Sequence, residues 1–323
     1  MAQQVQPAPR IKNTEAVFQF TLFFIFLGVF ALLSLLAPNF FTLTNQLNIL
    51  RQAAPTLIVA VGMTLVITTS GIDLSVGSLL ALVAVLSAMS LGAWPVWLVI
   101  LMMLALGLGV GLVNGYFTAY QTIPAFIVTL ATLSIIRGLA QLLTQGYSVP
   151  IDPDSVFLEL GRGRLGPVPI PVIIALVVVI AGYILLNQTR FGTYVTGIGS
   201  NEEGVRRAGV NVRRVKTVVY MLSGFLVAVG GMVTAARLAS GSSYTGVAFE
   251  LQVIAAVIVG GTNLFGGEGR ISGTVLGTLL LAMIGNGLIL MRISPFYQQI
   301  IEGTIILLAI WFNLSLTRRG KRA

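Results

Sequence analysis

The chain contains no cysteine and no histidine among its 323 residues. Without cysteine there is no disulfide framework, zinc–thiolate site or thiol nucleophile. Without histidine there is no imidazole metal ligand and no imidazole general base. Charge is scarce as well. Only 9% of residues are Asp, Glu, Lys or Arg, against roughly 25% in soluble domains. With 56% of residues hydrophobic, a single globular core would leave a large apolar surface in water, so a soluble enzyme is excluded first. The same hydrophobicity excludes a disordered chain. The 36 glycines show no three-residue period, which excludes a collagen-like chain. What remains is a protein that crosses a bilayer repeatedly.

A span needs about 20 apolar residues. Runs of this kind cover 18–36, 55–69, 78–91, 95–120, 124–143, 168–186, 218–236, 251–261, 271–291 and 298–316. The third and eighth are short and are candidates for re-entrant or broken helices. Residues 43–52 are more polar and are expected to form a separate interfacial helix. The fold class is thus an all-α integral membrane protein of about ten transmembrane helices. Its parts are an N-terminal tail over 1–16, one transmembrane domain over 17–316 containing a charged loop at 187–216, and a basic tail over 317–323. The polar start, MAQQVQPAPRIKNTEAV, has no short apolar core before a small-residue cleavage site. The first apolar run is therefore expected to be a retained span.

The net charge of +9 has a topological explanation, and no nucleic-acid partner is expected. Ten spans put Arg10, Lys12, the basic residues of 187–216, Arg270 and the basic tail on one side. The other side holds Arg51, Arg162, Arg164, Arg237 and Arg292. The basic excess marks the first side, with both termini, as cytoplasmic. A weak internal repeat accompanies this topology. Asn114-Gly115 precedes Pro124 and Phe126, and Asn286-Gly287 precedes Pro295 and Phe296. The two spans involved are five apart and cross in opposite senses, which is the pattern of an inverted repeat with a pathway between its halves.

Four segments carry candidate function. In Ser70-Gly-Ile-Asp73-Leu-Ser-Val-Gly77 a carboxylate interrupts apolar sequence. Either it lines a polar pathway, or Asp73 is the N-cap of the next helix. Gly107, Gly111 and Gly115 form a strip that lets another helix approach closely, as does Gly273 with Gly277. Ser200-x-x-Glu203 fits a capping box. Glu202 and Glu203 then sit at the positive end of a two-turn helix, Arg206 and Arg207 at its negative end, and Gly209 at the left-handed C′ position. So short a helix needs a surface to dock on. The run 260–270, GGTNLFGGEGR, lacks the Gly-Lys-Ser/Thr of a phosphate loop and reads as a tight turn. No ATP site, metal or cofactor is expected. Arg137 either snorkels to the outer interface or faces a wet cavity. Glu250 and Glu302 are expected at interfaces.

TTSGIDLSVGS, IPAFIVTLATL, FGTYVTGIGSNEEGVRRAGV and IAAVIVGGTNLFGGEGRISGT, through GNGL, together resemble the permease subunits of bacterial ABC importers for monosaccharides. The ribose type is closest, from about Asn39 to the end of the tenth span. Thr-Ser-Gly-Ile-Asp stands where that family often has Ser-Gly-Gly-Ile-Asp, and Gly285-Asn286-Gly287 where Asn-Asn-Gly is common. The resemblance implies a multi-pass protein of the bacterial cytoplasmic membrane that moves a sugar by alternating access. It implies a cytoplasmic ABC ATPase, an extracytoplasmic sugar-binding protein and a second permease copy as partners. It also implies that the loop around Ser200, Asn201, Glu202, Glu203, Arg206, Arg207 and Gly209 couples to the ATPase. Asp73, Asn114, Pro124, Phe126 and Asn286 are the pathway candidates. The rivals are an ion-coupled secondary sugar transporter, and a permease of the same family for nucleosides or branched-chain amino acids.

Overall fold

A computed structural model describes residues 12–294 and, beyond them, 296, 297, 300, 301, 303, 304 and 307. Arg10, Pro295, Glu302, the basic tail and most of the tenth expected span lie outside the described residues.

The chain is mostly helical. The helices are α1 (Lys12–Leu36), α2 (Leu43–Thr68), α3 (Val76–Ser90), α4 (Val96–Ala119), α5 (Ala125–Thr144), α6 (Glu159–Arg162), α7 (Ile170–Gln188), α8 (Arg190–Arg207), α9 (Val212–Leu238), α10 (Phe249–Val259) and α11 (Ile271–Leu290). Six of them, α2, α4, α5, α7, α9 and α11, are long and apolar enough to cross a membrane. Phe20–Leu36, α3 and α10 are shorter apolar helices. The expected break between an interfacial helix at 43–52 and a span at 55 is absent. Thr42 caps a single helix that runs through Pro55. Proline removes one helical hydrogen bond, and here the helix is enclosed, with Ala53, Ala54, Pro55, Leu57 and Ile58 all buried.

Two antiparallel seams build the centre. Along α2 and α9, Gly62 faces Ser223 while Gly230 faces Pro55 and Val59. Along α4 and α9, a Cβ on Gly107 would strike Gly224, one on Gly111 would strike Tyr220 and Met221, and one on Gly115 would strike Thr217. The glycine strip thus brings two backbones together, which is how packing replaces the hydrophobic effect between helices in lipid. The turn between α10 and α11 closes the same way, with Gly273 against Gly260 and Gly277 against Ala256.

The short helices explain themselves. At 1.5 Å per residue α3 is about 22 Å long and α10 about 16 Å, less than the roughly 30 Å hydrocarbon core. Each follows a non-helical stretch: 71–75 before α3, and 239–248 before α10. The second stretch runs down the side of α3, with Gly241 against Ala84 and Gly246 against Gly77. Its start pairs with the α5–α7 connection, as β1 (Val149–Pro150) lies antiparallel to β4 (Ser240–Gly241). Between them in the chain, β2 (Arg164–Leu165) and β3 (Val168–Pro169) form a small hairpin.

The α4–α9 seam makes a paired prediction. Gly111→Leu should cost roughly 3 kcal/mol, because the added side chain has only backbone to displace. Gly109 has nothing within 4 Å of its Cβ position, so Gly109→Leu should be neutral or gain less than about 1 kcal/mol from helix propensity. Thermal unfolding of the two detergent-purified variants checks this. Equal midpoints would contradict the seam.

Candidate functional site

Helix α2 ends in a Schellman turn. The Ser70 N–H donates to the Ile67 carbonyl and the Gly71 N–H to the Val66 carbonyl. The C′ residue takes φ +61°, a conformation that usually selects glycine. It is Ser70, and its hydroxyl donates to the carbonyls of Phe265 (2.7 Å) and Gly199 (3.3 Å). The Gly267 N–H donates to the Thr68 carbonyl at 3.0 Å. Three distant segments, 68–70, 199–200 and 265–267, therefore meet at one joint. The glycine run 260–270 is a turn, as its composition implies, and it also seats the charged segment. Only the absence of a Cβ at Gly199 lets the backbones touch, since a side chain there would meet Thr68 and Gly267.

Past this joint the chain re-enters the helices. Asp73 is 2% exposed and makes a closed set of contacts. Its Oδ1 accepts from the Ser75 N–H (3.0 Å) and hydroxyl (2.6 Å), and its Oδ2 from the Ser223 hydroxyl (3.2 Å). The Asn114 amide donates to Ser75 Oγ at 2.9 Å, and Asn114 Oδ1 accepts from Thr132 at 2.7 Å. Asp73 is therefore not the N-cap of α3. That position is Ser75, and the carboxylate closes the turn before it while tying α3 to α9.

Helix α5 serves both breaks. Thr129 reaches the Ile72 carbonyl at 3.2 Å. Arg137 donates to the carbonyls of Ser243, Thr245 and Gly246. Arg137 thus holds the backbone of 239–248 and does not snorkel. Unwound carbonyls inside a membrane protein need such donors, and their position, more than a hundred residues away, has no signature near Arg137 in the chain. Glu250, expected at an interface, packs against Gly77.

The pathway candidates separate into places. Asp73 and Asn114 are joined through Ser75. Asn286 exchanges two amide hydrogen bonds with Asn45, at 2.9 and 3.1 Å, and lines a cavity of about 330 Å³ with Gln52, Thr234, Arg237 and Gln252. Pro124 lies on the rim of a larger cavity, about 730 Å³, at the end that carries 200–209. Phe126 is exposed and lines neither.

The charged segment departs from its expected start. Thr189 caps α8, which bends at Asn201 (φ −159°, ψ 91°). Asn201, not Ser200, caps the short helix that follows, its Oδ1 accepting from the Gly204 N–H at 2.9 Å. Ser200 instead donates to the Thr196 carbonyl of the preceding arm. An Asn with its own extended backbone suits the cap as well as serine does, and position 200 still belongs to the helix before the bend. Glu202 pairs with Arg206 (2.9 Å) and Lys216 (2.6 Å), and Glu203 with Arg206 (3.2 Å) and Arg207 (3.0 Å). Gly209 takes φ +84° after the last turn. Partial burial pushes the Glu202 carboxyl up, but Lys216 and Arg206 outweigh it and hold the group below its ordinary value of 4.5.

Among the described residues no three His, Cys, Asp or Glu side chains converge as a metal site.

Residues 45–310 match the family described as the permease component of branched-chain amino acid transport systems. The ribose import permease protein RbsC of Escherichia coli strain K12 is 44% identical over 288 residues, covering 88% of this chain and 90% of the relative. That of Haemophilus influenzae is 39% identical over 284 residues, covering 87% and 88%. The xylose transport system permease protein XylH of Escherichia coli strain K12 is 34% identical over 339 aligned positions, covering 85% and 86%. No solved structure matches the chain.

Two predictions follow. Asp73→Leu leaves the Ser75 and Ser223 hydroxyls without their acceptor, so it should lower stability by at least about 2 kcal/mol. Asp73→Asn, which keeps an acceptor, should lose less; equal losses in thermal unfolding would contradict the contact set. The Glu202–Lys216 clamp should hold at pH above 4.5 and release as pH falls through the depressed folded value. The chain has no native cysteine, so a spin label on Gly204→Cys reports the release as a gain in mobility. In Lys216→Met the transition should move to higher pH, and an unmoved transition would rule the clamp out.

Proposed function

The chain belongs to this family of ABC-importer permease components, and on that premise we propose that its cargo is ribose or a related pentose, moved by alternating access. The observation that carries the reading is the 44% identity to a ribose import permease over 88% of the chain. The xylose permease at 34% keeps the substrate within monosaccharides. Although the family's description mentions branched-chain amino acids, these relatives are sugar permeases. The chain is a multi-pass inner-membrane permease subunit and not an enzyme. ATP is hydrolysed on a separate cytoplasmic ATPase, and a substrate-binding protein delivers the cargo.

The finer picture has ten spans, both termini cytoplasmic and two copies forming the translocation unit. The helix 202–207 docks in the ATPase and couples its motion to the spans. In support, this helix is capped at both ends and exposed along its acidic and basic faces, and the arm just before it, at Gly199 and Ser200, is seated on the end of α2 and on the 260–270 turn. Asp73, Asn114, Pro124, Phe126 and Asn286 remain the pathway assignment, with Asp73 and Asn114 acting as one unit. An ion-coupled carrier is disfavoured. Among the described residues Asp73 is the only fully buried carboxylate, and both its oxygens are already occupied.

Reconstitution with the ATPase and binding protein should give ATP-dependent pentose uptake. Concentration of pentose by this chain alone under an ion gradient would overturn the reading. Exchanging the charges, Glu203→Arg with Arg207→Glu, should weaken ATPase association at least roughly tenfold, about 1.4 kcal/mol, and lower uptake while membrane insertion is kept. Unchanged association would count against docking through this helix.

A further inference from the structure

The cavity of about 730 Å³ lies where the spans end on the side of the helix 202–207. The ends of α2 and α4 and the starts of α5 and α9 all meet at it. These four helices are long and apolar enough to cross a membrane, so the cavity sits at the depth of phospholipid headgroups. Its lining is basic: Arg206, Arg213 and Lys216 face it against a single carboxylate, Glu202. Arg206 and Lys216 share that carboxylate, at 2.9 and 2.6 Å, and Arg206 has a second partner in Glu203, at 3.2 Å. The charge of Arg213 is left over. Among the described residues it has no carboxylate partner, and its guanidinium carbon lies 5.8 Å from the centre of the Tyr120 ring. Arg213 and Lys216 are three apart on α9 and so share a face. The excess is what an anion would complement.

The rim identifies the kind of anion. Tyr116 and Tyr120 stack with their ring centres 5.5 Å apart, and Phe117 stands edge-on to Tyr116 at 5.6 Å. All three are exposed. Exposed tyrosines at the end of a span form the aromatic belt that marks a membrane interface. Ile123, which lines the cavity, and Ile127, four residues on, also expose their side chains. A basic recess beside exposed apolar and aromatic side chains matches a molecule with a phosphate at one end and hydrocarbon at the other. A soluble anion would use the recess and leave the apolar rim bare. We propose that the cavity binds the phosphate of an anionic phospholipid from the leaflet on this side, held chiefly by Arg213 with Lys216 beside it. Its acyl chains run against Phe117, Ile123 and Ile127. The proposal goes beyond the sugar-permease reading. It asks only for a bilayer and stands even if the importer reading fails.

The test uses the full chain, which has no native cysteine, in lipid nanodiscs. Thr122→Cys, in the cavity lining, and Thr193→Cys, exposed on α8 and outside the cavity, are each labelled with an uncharged polar maleimide. Phosphatidylglycerol in the disc should slow labelling of Thr122→Cys at least roughly threefold relative to pure phosphatidylcholine, the factor reached once the lipid exceeds about twice its Kd. Thr193→Cys should not respond. Added to Thr122→Cys, Arg213→Gln should remove most of the protection while leaving the rate in phosphatidylcholine unchanged, and Arg213→Lys should keep part of it. Equal labelling of Thr122→Cys in the two kinds of disc overturns the proposal, as does full protection in Arg213→Gln or equal slowing at Thr193→Cys. If inorganic phosphate added to phosphatidylcholine discs protects as well as phosphatidylglycerol does, the proposal falls in favour of a soluble anion. Protection by the ATPase, with none from phosphatidylglycerol, overturns it in favour of a protein carboxylate.

Discussion

Hydrocarbon offers no hydrogen bonds, so a chain that unwinds between membrane helices must supply partners from within. This protein unwinds twice, at 71–75 and at 239–248, and its polar residues are distributed accordingly. At the first break Asp73, Ser75, Ser223, Asn114 and Thr132 close on one another. At the second, Arg137 collects three carbonyls. Helix α5 contributes to both, which explains why an otherwise apolar helix carries Thr129, Thr132, Arg137 and Thr144 along one flank. The charges of Asp73 and Arg137 have their cost offset by bonds that the unwound backbone would otherwise lack.

Once the breaks are stabilised, the rest of the centre is a matter of approach distance. Helix α9 is embraced by α2 on one side and α4 on the other, antiparallel to both. Its contacts with α4 are glycine to backbone over two helical turns. A surface of this kind tolerates little shear, because the touching atoms are main chain and have no rotamers to adjust. Movement of α9 must therefore carry α4 with it, and Asn114, near the end of the glycine strip, moves with the Asp73 cluster.

Much of this was legible in the residues alone. The scarcity of charge and the spacing of apolar runs announced a polytopic helical protein. The glycines four apart announced a close helix contact. The Glu–Arg spacing and Gly209 announced a short capped helix. What the linear chain concealed was mainly non-local. The partner of Arg137 is backbone more than a hundred residues away, and backbone carbonyls leave no signature in composition. Pro55 looked like a helix start because proline usually punctuates; here burial on all sides overrides it. Ser200 was preferred over Asn201 by the capping-box pattern, yet the preceding arm is already helical to residue 200, so the cap shifts by one.

In the charged segment 190–209, surface charge and stiffness come from different residues. Its Glu–Arg pairs involve side chains that are largely in solvent, with Arg206 60% and Arg207 80% exposed, and pairs of that kind contribute about 0–1 kcal/mol each. They leave the helix soluble and orient its dipole, but they cannot hold it against a load. The segment is fixed by the arm before the bend: Gly192 on the last turn of α7, Gly199 on Thr68, and Ser70 reaching across to Gly199 and Phe265. A serine in the left-handed position that glycine fills with less strain makes sense on these terms. The hydroxyl proton, shared between the Phe265 carbonyl and the more distant Gly199 carbonyl, ties two neighbouring segments that a glycine would leave untied. Residues 190–209 thus combine exchangeable charges on an outer face with main chain against main chain behind it.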